Sequence, residues 1–457
     1  MAKTAGRQIE IGIGIETTPG TSVAAADYVK WESLSLVGMS DKATLNSARG
    51  IRNKLSNSII IKQYGKGAIE FAPTTDILPY FLGLALGSRS SGTASGESAV
   101  YNHTFTVQNA NASMKTASLT IKQGSIQTEQ YTNTVVDSIE FTVNKDISKC
   151  KVNLLGQFPT IVTAISPSYT QDSLFTRNQM LAYFGASVSA ALGTAASTTL
   201  TSDTTAPANN STIVIGGQTY TFKTSLTGAA YEVFINSTAA AALVNLKKAI
   251  NGTGTAGTDY GVGTLPHTQD IATTVTTTTL LIVAIQNGTP SNSIATTQAG
   301  TSHCTWAGAT MNSGTPGTGA GPSQLVDLSF THSNNVLFED AFLSGSASPA
   351  AGGFIAGPVS IKGSYTLQMS DTVELAKYQQ NTLQNLVVVL NGSLLGVVPT
   401  YEQIVFKFGD LVLTKAPLEY KIDDITFLKQ EFEIQYDATD KEITAIVTNT
   451  YAGTNYQ

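Results

Sequence analysis

Short segments in which apolar and polar residues alternate recur along most of this chain. Alternation of period two places every second side chain on one face, which is typical of β-strands that are buried on one side. Clear strand segments are "IIIKQYG" (Ile59–Gly65), "HTFTV" (His103–Val107) and "SLTIKQG" (Ser118–Gly124). A longer segment, Val135–Gly156, predicts a hairpin that turns at Asn144–Ser148. The pattern therefore predicts a mainly β fold.

One continuous apolar segment interrupts these strands and predicts a short helix. It reads "TTDILPYFLGLALG" and spans residues 74–87. Thr74, Thr75 or Asp76 is placed to cap the first turn, because a hydroxyl or carboxylate oxygen accepts hydrogen bonds from free backbone N–H groups. Gly87 is placed to end the helix, since glycine readily takes the left-handed conformation found there.

A polar stretch, residues 38–58, separates two predicted strands and shows no strand alternation of its own. Connections of some twenty residues are uncommon inside a compact domain and usually have a function. We interpret this stretch as an arm that reaches a neighbouring molecule. Its cationic residues Arg49, Arg52 and Lys54 are the candidate contacts. A mobile surface loop is the alternative interpretation.

Two segments of the first half have counterparts in the second half. Lys66-Gly67 and Lys362-Gly363 are each followed by an alternating strand, a polar cluster and an apolar helix. Further along, Glu140 and Glu433 each lie in an apolar-Glu-apolar strand that precedes a polar turn. Nearly the same number of residues separates the landmarks in both halves. The pattern favours an internal duplication of one β-unit that carries one helix.

Between the halves the composition changes, with only seven charged residues from position 191 to position 321. The edges of this region are rich in Gly, Ser, Thr and Ala, as linkers are. Inside it, Ser211–Phe222 predicts a hairpin that turns at Gly216-Gly217. Asn236–Asn251 predicts an amphipathic helix, and Leu280–Gln286 predicts a buried strand. We expect a small α+β domain inserted in a host fold.

These observations divide the chain into three parts. Residues 1–165 form the first β-unit, with the arm at 38–58. Residues 166–198 and 322–457 form the second β-unit. Residues 199–321 form the inserted Thr- and Gly-rich domain.

Composition narrows the function. Charged residues make up 13% of the 457 residues and the net charge is −6, which argues against a basic nucleic-acid-binding surface. Low charge suits a surface that partner copies cover, since charge is depleted at interface cores. The N-terminal residues lack the apolar region of a signal peptide, and the longest apolar run, Ile77–Gly87, is too short to cross a membrane. We expect a protein that is made in a cytoplasm and has no membrane partner.

Candidate chemistry is sparse. The two cysteines, Cys150 and Cys304, lie too far apart in sequence for a metal motif or a disulfide framework. His303 precedes Cys304, but no pattern of base and orienting residue surrounds the pair. Asp423-Asp424 and the Glu431/Glu433 pair are the best paired carboxylates, and alternation places both glutamates on one solvent face. We therefore expect no enzyme activity, no cofactor and no metal.

Two regions of the sequence resemble known proteins. Residues 11–36, "IGIGIETTPGTSVAAADYVKWESLSL", the arm segment "SARGIRN" at 47–53 and the strand–helix segment at 67–88 together resemble the tail tube proteins of long-tailed bacteriophages. The resemblance covers residues 8–190 and 322–457. The inserted region contains "IVIGGQTYTF" and "KAINGTGTAGTDY". It is similar to a small domain that recurs in phage structural proteins.

The resemblance implies a structural virion protein of siphovirus type. Two β-sandwich or barrel units, each with a short helix, would build stacked rings that form the hollow tail tube for DNA passage during ejection. Homotrimeric, pseudo-hexameric rings are favoured, and six-chain rings are the alternative. The arm, through Arg49, Arg52 and Lys54, would contact the next ring. Partners would be further copies, the tape-measure, terminator and tail-tip proteins, with assembly in the host bacterial cytoplasm.

Other functions stay open at this point. A capsid or tail decoration protein, or a terminator ring, would also suit the Thr-rich insert. A glycan-binding virion protein would use exposed aromatic residues, for which Tyr231, Tyr260 and Trp306 are the candidates.

Overall fold

The structure is a computed structural model, and its description covers most of the chain. The described residues are 6–46, 55–94, 99–108, 114–169, 173–185, 194–267, 269–287, 289–315, 325–368, 373–395, 400–419, 427–436, 441–452 and 456.

The fold is mainly β, as the alternation predicted. The described strands before residue 186 are β1 (Ile9–Ile15), β2 (Asp27–Val29), β3 (Trp31–Leu34), β4 (Val37–Asn46), β5 (Leu55–Phe71), β6 (Gly87–Thr93), β7 (Tyr101–Val107), β8 (Ala117–Gln123), β9 (Gln127–Val143), β10 (Lys149–Gln157), β11 (Thr160–Ile161) and β12 (Met180–Gly185). Those of the middle region are β13 (Ala195–Ser202), β14 (Thr212–Ile215), β15 (Gln218–Lys223), β16 (Glu232–Phe234), β17 (Asp270–Val275), β18 (Thr279–Asn287), β19 (Thr296–Ala299) and β20 (Cys304–Trp306). The last group is β21 (Leu325–Ser333), β22 (Ser360–Gln368), β23 (Gln384–Leu395), β24 (Thr400–Lys415), β25 (Leu418–Glu419), β26 (Phe427–Ile434) and β27 (Ile443–Asn449).

Helices are few in the described residues. The α-helices are α1 (Leu78–Leu86), α2 (Ala239–Asn251) and α3 (Val373–Gln379). Short 3₁₀ helices lie at Gly6–Gln8, Arg177–Gln179, Thr289–Ser293 and Glu339–Ala341.

Helix α1 confirms the predicted apolar helix. All but one of its residues are buried, so it lies inside the fold rather than on its surface. Before its first turn, the Thr74 hydroxyl accepts a hydrogen bond from the Ile77 N–H at 3.4 Å, and the Thr74 carbonyl accepts one from the Leu78 N–H at 3.0 Å. Gly87 follows the last turn with φ of 83° and ends the helix as expected.

One antiparallel sheet runs through both halves of the chain. Its strand order is β4–β5–β10–β9–β21–β22–β26–β24. Strand β3 pairs with the same edge of β5 as β4 does, but further along β5. The halves meet where β9 pairs with β21, from Val143 opposite Leu328 to Ser138 opposite Ser333. We call this the joint sheet.

Two further layers pack on the joint sheet. One has the order β2–β1–β8–β9–β11, and the other has the order β12–β23–β24–β27–β7–β6. The long strands β9 and β24 belong both to the joint sheet and to one of these layers. Each therefore passes from one layer to the other.

The largest apolar core lies between the layers and draws on both halves. Phe141 of β9 and Phe330 of β21 stack with ring centroids 5.8 Å apart, and both lie edge-on to Phe406 of β24, at 4.7 and 4.9 Å. Phe408 and Phe432 extend this aromatic cluster. Burial of large aromatic side chains is the main source of stability in such cores, so the two halves stabilise each other.

The middle region has its own core, which contains residues from 196 to 311 only. Its strands form two four-stranded sheets, β17–β18–β13–β20 and β16–β15–β14–β19. The predicted hairpin is β14–β15, and the predicted helix is α2, in which the Thr238 hydroxyl accepts a hydrogen bond from the Ala241 N–H at 3.2 Å. The predicted strand at Leu280–Gln286 lies in β18.

The arm differs from its prediction. Residues 37–46 and 55–66 pair as a long hairpin of β4 and β5, so the expectation of a stretch without strand structure is wrong there. Polar residues such as Ser40, Asp41 and Lys42 hid the strand, because alternation reveals only a strand with one buried face. In β4, nine of ten residues are exposed.

The second landmark of the duplication also lies elsewhere than the sequence suggested. Glu140 is on β9, whereas Glu433 is on β26, which pairs with β22 and β24. Equal spacing in the sequence therefore aligned two strands that have different partners in the sheet.

Candidate functional site

The outer face of the joint sheet carries a row of polar side chains from β5 to β26. Alternation turns Ile69, Val152, Phe141, Phe330 and Phe432 into the core and leaves their neighbours outside. The outward side chains on successive strands are Glu70, Lys151, Glu140, Thr331, Lys362 and Glu433, which follow one another in register across the sheet. This row crosses both halves of the chain without a break.

Three lysines on this face, Lys149, Lys362 and Lys415, are paired with glutamates. Lys149 Nζ lies 2.9 Å from a Glu32 oxygen and 3.3 Å from a Glu70 oxygen. Lys362 Nζ lies 2.7 Å from Glu433 Oε1. Because exposed pairs add little stability, the main effect of these contacts is to balance charge over the face.

A further lysine–glutamate pair on this face also balances its charges. Lys415 Nζ lies 2.8 Å from Glu431 Oε2. The hydrogen bond to Glu431 raises the pKa of Lys415, and those to Glu32 and Glu70 raise the pKa of Lys149. Each of these lysines is therefore held in its charged form next to a carboxylate, and the sheet face carries alternating charges rather than a cationic patch.

Shallow depressions on this face surround the two glycines of the Lys-Gly landmarks. One is about 370 Å³ and contains Gly67, and the other is about 310 Å³ and contains Gly363. A Cβ atom at Gly67 would lie 2.3 Å from the Ser35 carbonyl oxygen, and one at Gly363 would lie 2.4 Å from the Phe432 ring. Both positions require glycine because another strand or ring approaches the backbone closely.

The β4–β5 hairpin exposes apolar side chains on both faces. Neighbouring residues of a strand point to opposite faces, and Ile59, Ile60 and Ile61 are 68%, 43% and 50% exposed. Leu45 of β4 is 59% exposed. Apolar surface of this kind marks an interaction site when it is contiguous. Arg49, Arg52 and Lys54 lie outside the described residues, so their contact role stays a prediction.

An apolar groove lies at the root of the hairpin. Its volume is about 460 Å³, and its lining includes Leu34, Leu36, Val37, Ile121 and Ile126. Ile126 is 58% exposed at its rim. The groove and the hairpin together bring several accessible apolar side chains to one region of the described chain.

The candidate catalytic groups have structural surroundings. His303 Nδ1 lies 2.8 Å from Asp203 Oδ2, and burial raises the pKa of the neighbouring Cys304 thiol to about 11, which keeps it protonated and unreactive at neutral pH. Asp423-Asp424 lies outside the described residues. Glu431 and Glu433 are on the solvent face, as alternation predicted, and both are paired with lysines.

Other titratable groups are buried in packing roles. His103 contacts Ser91, Asn449 and the Tyr451 carbonyl, and His332 contacts Asn334 and the Ala85 carbonyl. The described residues contain no group of three or more His, Cys, Asp or Glu that could hold a metal ion.

Two of the three aromatic candidates for glycan binding are in the core of the middle region. Tyr260 is 5% exposed and Trp306 is 7% exposed, while Tyr231 is partly buried and packs against the same core. A sugar ring needs an accessible aromatic face, so Tyr260 and Trp306 cannot supply one in this conformation.

Sequence reasoning missed the exposed isoleucines as a functional feature. The signal was present in "IIIK", because three consecutive isoleucines must place apolar side chains on both faces of a strand. The charge rows were hidden, since they depend on which strands are neighbours.

Among the described helices, none is both long and apolar enough to cross a membrane. Comparison of the chain with models of known protein families and with curated proteins gives no match.

Proposed function

We propose that this chain is a structural virion protein, the subunit of a phage tail tube. Stacked rings of the subunit would form the hollow tube through which DNA passes during ejection. The proposal starts from the sequence resemblance to tail tube proteins. It is supported by features that a self-assembling subunit needs and that an enzyme does not.

The observation that carries the proposal is the joint sheet. It is antiparallel and has an apolar inner face and a charge-balanced outer face. In the described residues no strand pairs with the outer edge of β3, and none pairs with the outer edge of β24 at Val412–Lys415. Unpaired strand edges are templates for another chain, so copies arranged in a ring could continue the sheet around a lumen.

Internal duplication is part of the proposal, and strand pairing supports it. In the first half, β1–β8–β9–β11 forms one layer and β4–β5–β10–β9 the other. In the second half, β12–β23–β24–β27 and β21–β22–β26–β24 have the same order and the same shared long strand. A helix follows the Lys-Gly strand in each half.

Two units per chain favour rings of three chains, which would have six β-units. The polar face of the joint sheet would line the lumen. A lumen that passes DNA must not hold phosphates, because lysines that neutralise phosphates bind the polymer in a salt-dependent way. Pairing of Lys149, Lys362 and Lys415 with glutamates agrees with such a surface.

The remaining parts of the chain also have proposed places. The exposed hairpin would contact the next ring through its apolar strands and through Arg49, Arg52 and Lys54. Residues 199–321 would be an inserted domain that decorates the outside of the tube. The buried positions of Tyr260 and Trp306 weigh against the glycan-binding alternative.

Concentration-dependent assembly tests this function. The purified chain is examined by sedimentation velocity and by electron microscopy of side views over a range of protein and salt concentrations. We expect rings that stack into tubes of constant diameter. A chain that remains monomeric throughout this range would contradict the proposal and favour a decoration role.

A further inference from the structure

The loop between β21 and β22, residues 334–359, packs against the base of the β4–β5 hairpin. We call this loop the strap. It begins beside the first half: the Asn334 N–H donates to the Asp137 carbonyl at 2.8 Å, and the Val336 N–H donates to Asp137 Oδ1 at 3.0 Å. Its middle part is held as well, since Gln157 Nε2 donates to the Pro349 carbonyl at 3.0 Å.

The strap holds β5 where β10 stops. Strand β10 pairs with β5 as far as Gln157 opposite Tyr64. At the next residue, the Gln63 N–H donates to the carbonyl of Ala347 in the strap at 2.6 Å. The strap therefore replaces β10 as the hydrogen-bonding partner of β5 at Gln63, where the hairpin extends beyond β10.

Aromatic and ionic contacts reinforce this junction. The Tyr64 ring lies edge-on to Phe338 at 4.7 Å and to Phe342 at 6.2 Å between centroids. Lys62 pairs with Glu339, and its Nζ lies 5.0 Å above the Phe342 ring. These contacts fix two residues of β5 whose partners in β4, Met39 and Asp41, begin the exposed part of the hairpin.

The strap has the same place in the second half as the hairpin has in the first. The β4–β5 connection precedes the strand with Gly67, and the strap precedes the strand with Gly363. Both glycines are followed by the helix of their half. The paired strands of the hairpin are exposed on both faces, whereas the strap is folded back against the first half.

We propose that the strap is the second half's counterpart of the arm and that it clamps the arm's base and sets the arm's direction. Each chain then presents one arm for two β-units. This inference rests on the proposed function where it concerns stacking: a three-chain ring would carry three arms, and each arm would leave the ring at the angle that its strap fixes.

Hydrogen exchange on the unassembled chain tests the clamp. The Phe338→Ala/Phe342→Ala variant removes both rings from Tyr64, and Phe342→Leu with Glu339→Gln is a milder second variant. Loss of the two ring contacts with Tyr64 should make exchange at residues 37–46 and 55–63 faster by about ten-fold, with a smaller increase in the milder variant. Exchange in α1 and β10 should not change.

A matched control is Tyr436→Ala, which removes an aromatic ring that is 63% exposed in the second half. It should leave the exchange of the hairpin unchanged. Unchanged exchange of the hairpin in both strap variants would overturn the clamp, as would equal acceleration throughout the first half. Because the measurement uses unassembled chain, its result does not depend on whether the protein forms tubes.

A density map of assembled tubes would test the count of arms. We expect three arm densities in each ring of three chains. Six equivalent arms would overturn the inference that the strap is a folded-back counterpart, while leaving the tube function intact.

Discussion

Replacement of Phe330 by alanine tests whether the two halves share one core. Phe330 is 3% exposed and lies on β21, where the second half pairs with β9 of the first. Its ring contacts Phe141 from the first half and Phe406 and Phe408 from the second, with centroids 4.9 to 5.8 Å apart. A buried Phe→Ala replacement costs about 3–5 kcal/mol, and a site with three aromatic neighbours that cannot close the cavity belongs at the upper end.

The assay is unfolding in denaturant, followed by hydrogen exchange in β10 and in β22. Because the cavity lies between the halves, we expect β10 and β22 to lose protection together, by several kcal/mol of unfolding free energy. Tyr401→Ala, which removes a ring that is 42% exposed, is the control and should change stability by less than about 0.5 kcal/mol. A loss confined to the second half, or below about 1 kcal/mol, would refute a shared core.

Three further predictions concern assembly, charge and pH. The double replacement Ile59→Ser/Ile61→Ser should leave the fold intact but raise the protein concentration at which tubes form at least several-fold. Unchanged assembly would show that the hairpin is not an interface. The double replacement Glu431→Gln/Glu433→Gln should leave Lys415 and Lys362 without their carboxylate partners. Fluorescence anisotropy should then show salt-dependent binding of double-stranded DNA by the variant and no binding by the original chain. Binding by the original chain would contradict a charge-balanced face. Burial lowers the pKa of His332, so the unfolded chain binds a proton more readily, and stability should fall below about pH 6.5. A thermal-unfolding series that shows no such fall, or shows the same fall for His332→Gln, would contradict this assignment.

Sequence patterns predicted the parts of this fold that have one buried face or a distinct cap. The helix that ends at Gly87 and the β14–β15 hairpin were both predictable, because local chemistry determines them. The same holds for the α2 helix, where Thr238 forms the N-cap.

Features that depend on distant partners could not be predicted in the same way. The hairpin strands β4 and β5 are exposed on both faces, so period-two alternation gave no signal at Ser40 or Lys42. The partners of Glu433 depend on the order of strands in the sheet, which spacing along the sequence does not record. The strap's contact with Tyr64 joins residues from opposite halves of the chain, which no local pattern records.

End views of assembled particles test the central claim most directly. The purified chain is assembled, and class averages of end-on rings are computed from electron micrographs. The account predicts a hollow ring with a sixfold-looking wall and three outward knobs, one from residues 199–321 of each of three chains. Six knobs would keep the tube but contradict two units per chain, and the absence of rings at any concentration would contradict the tube itself.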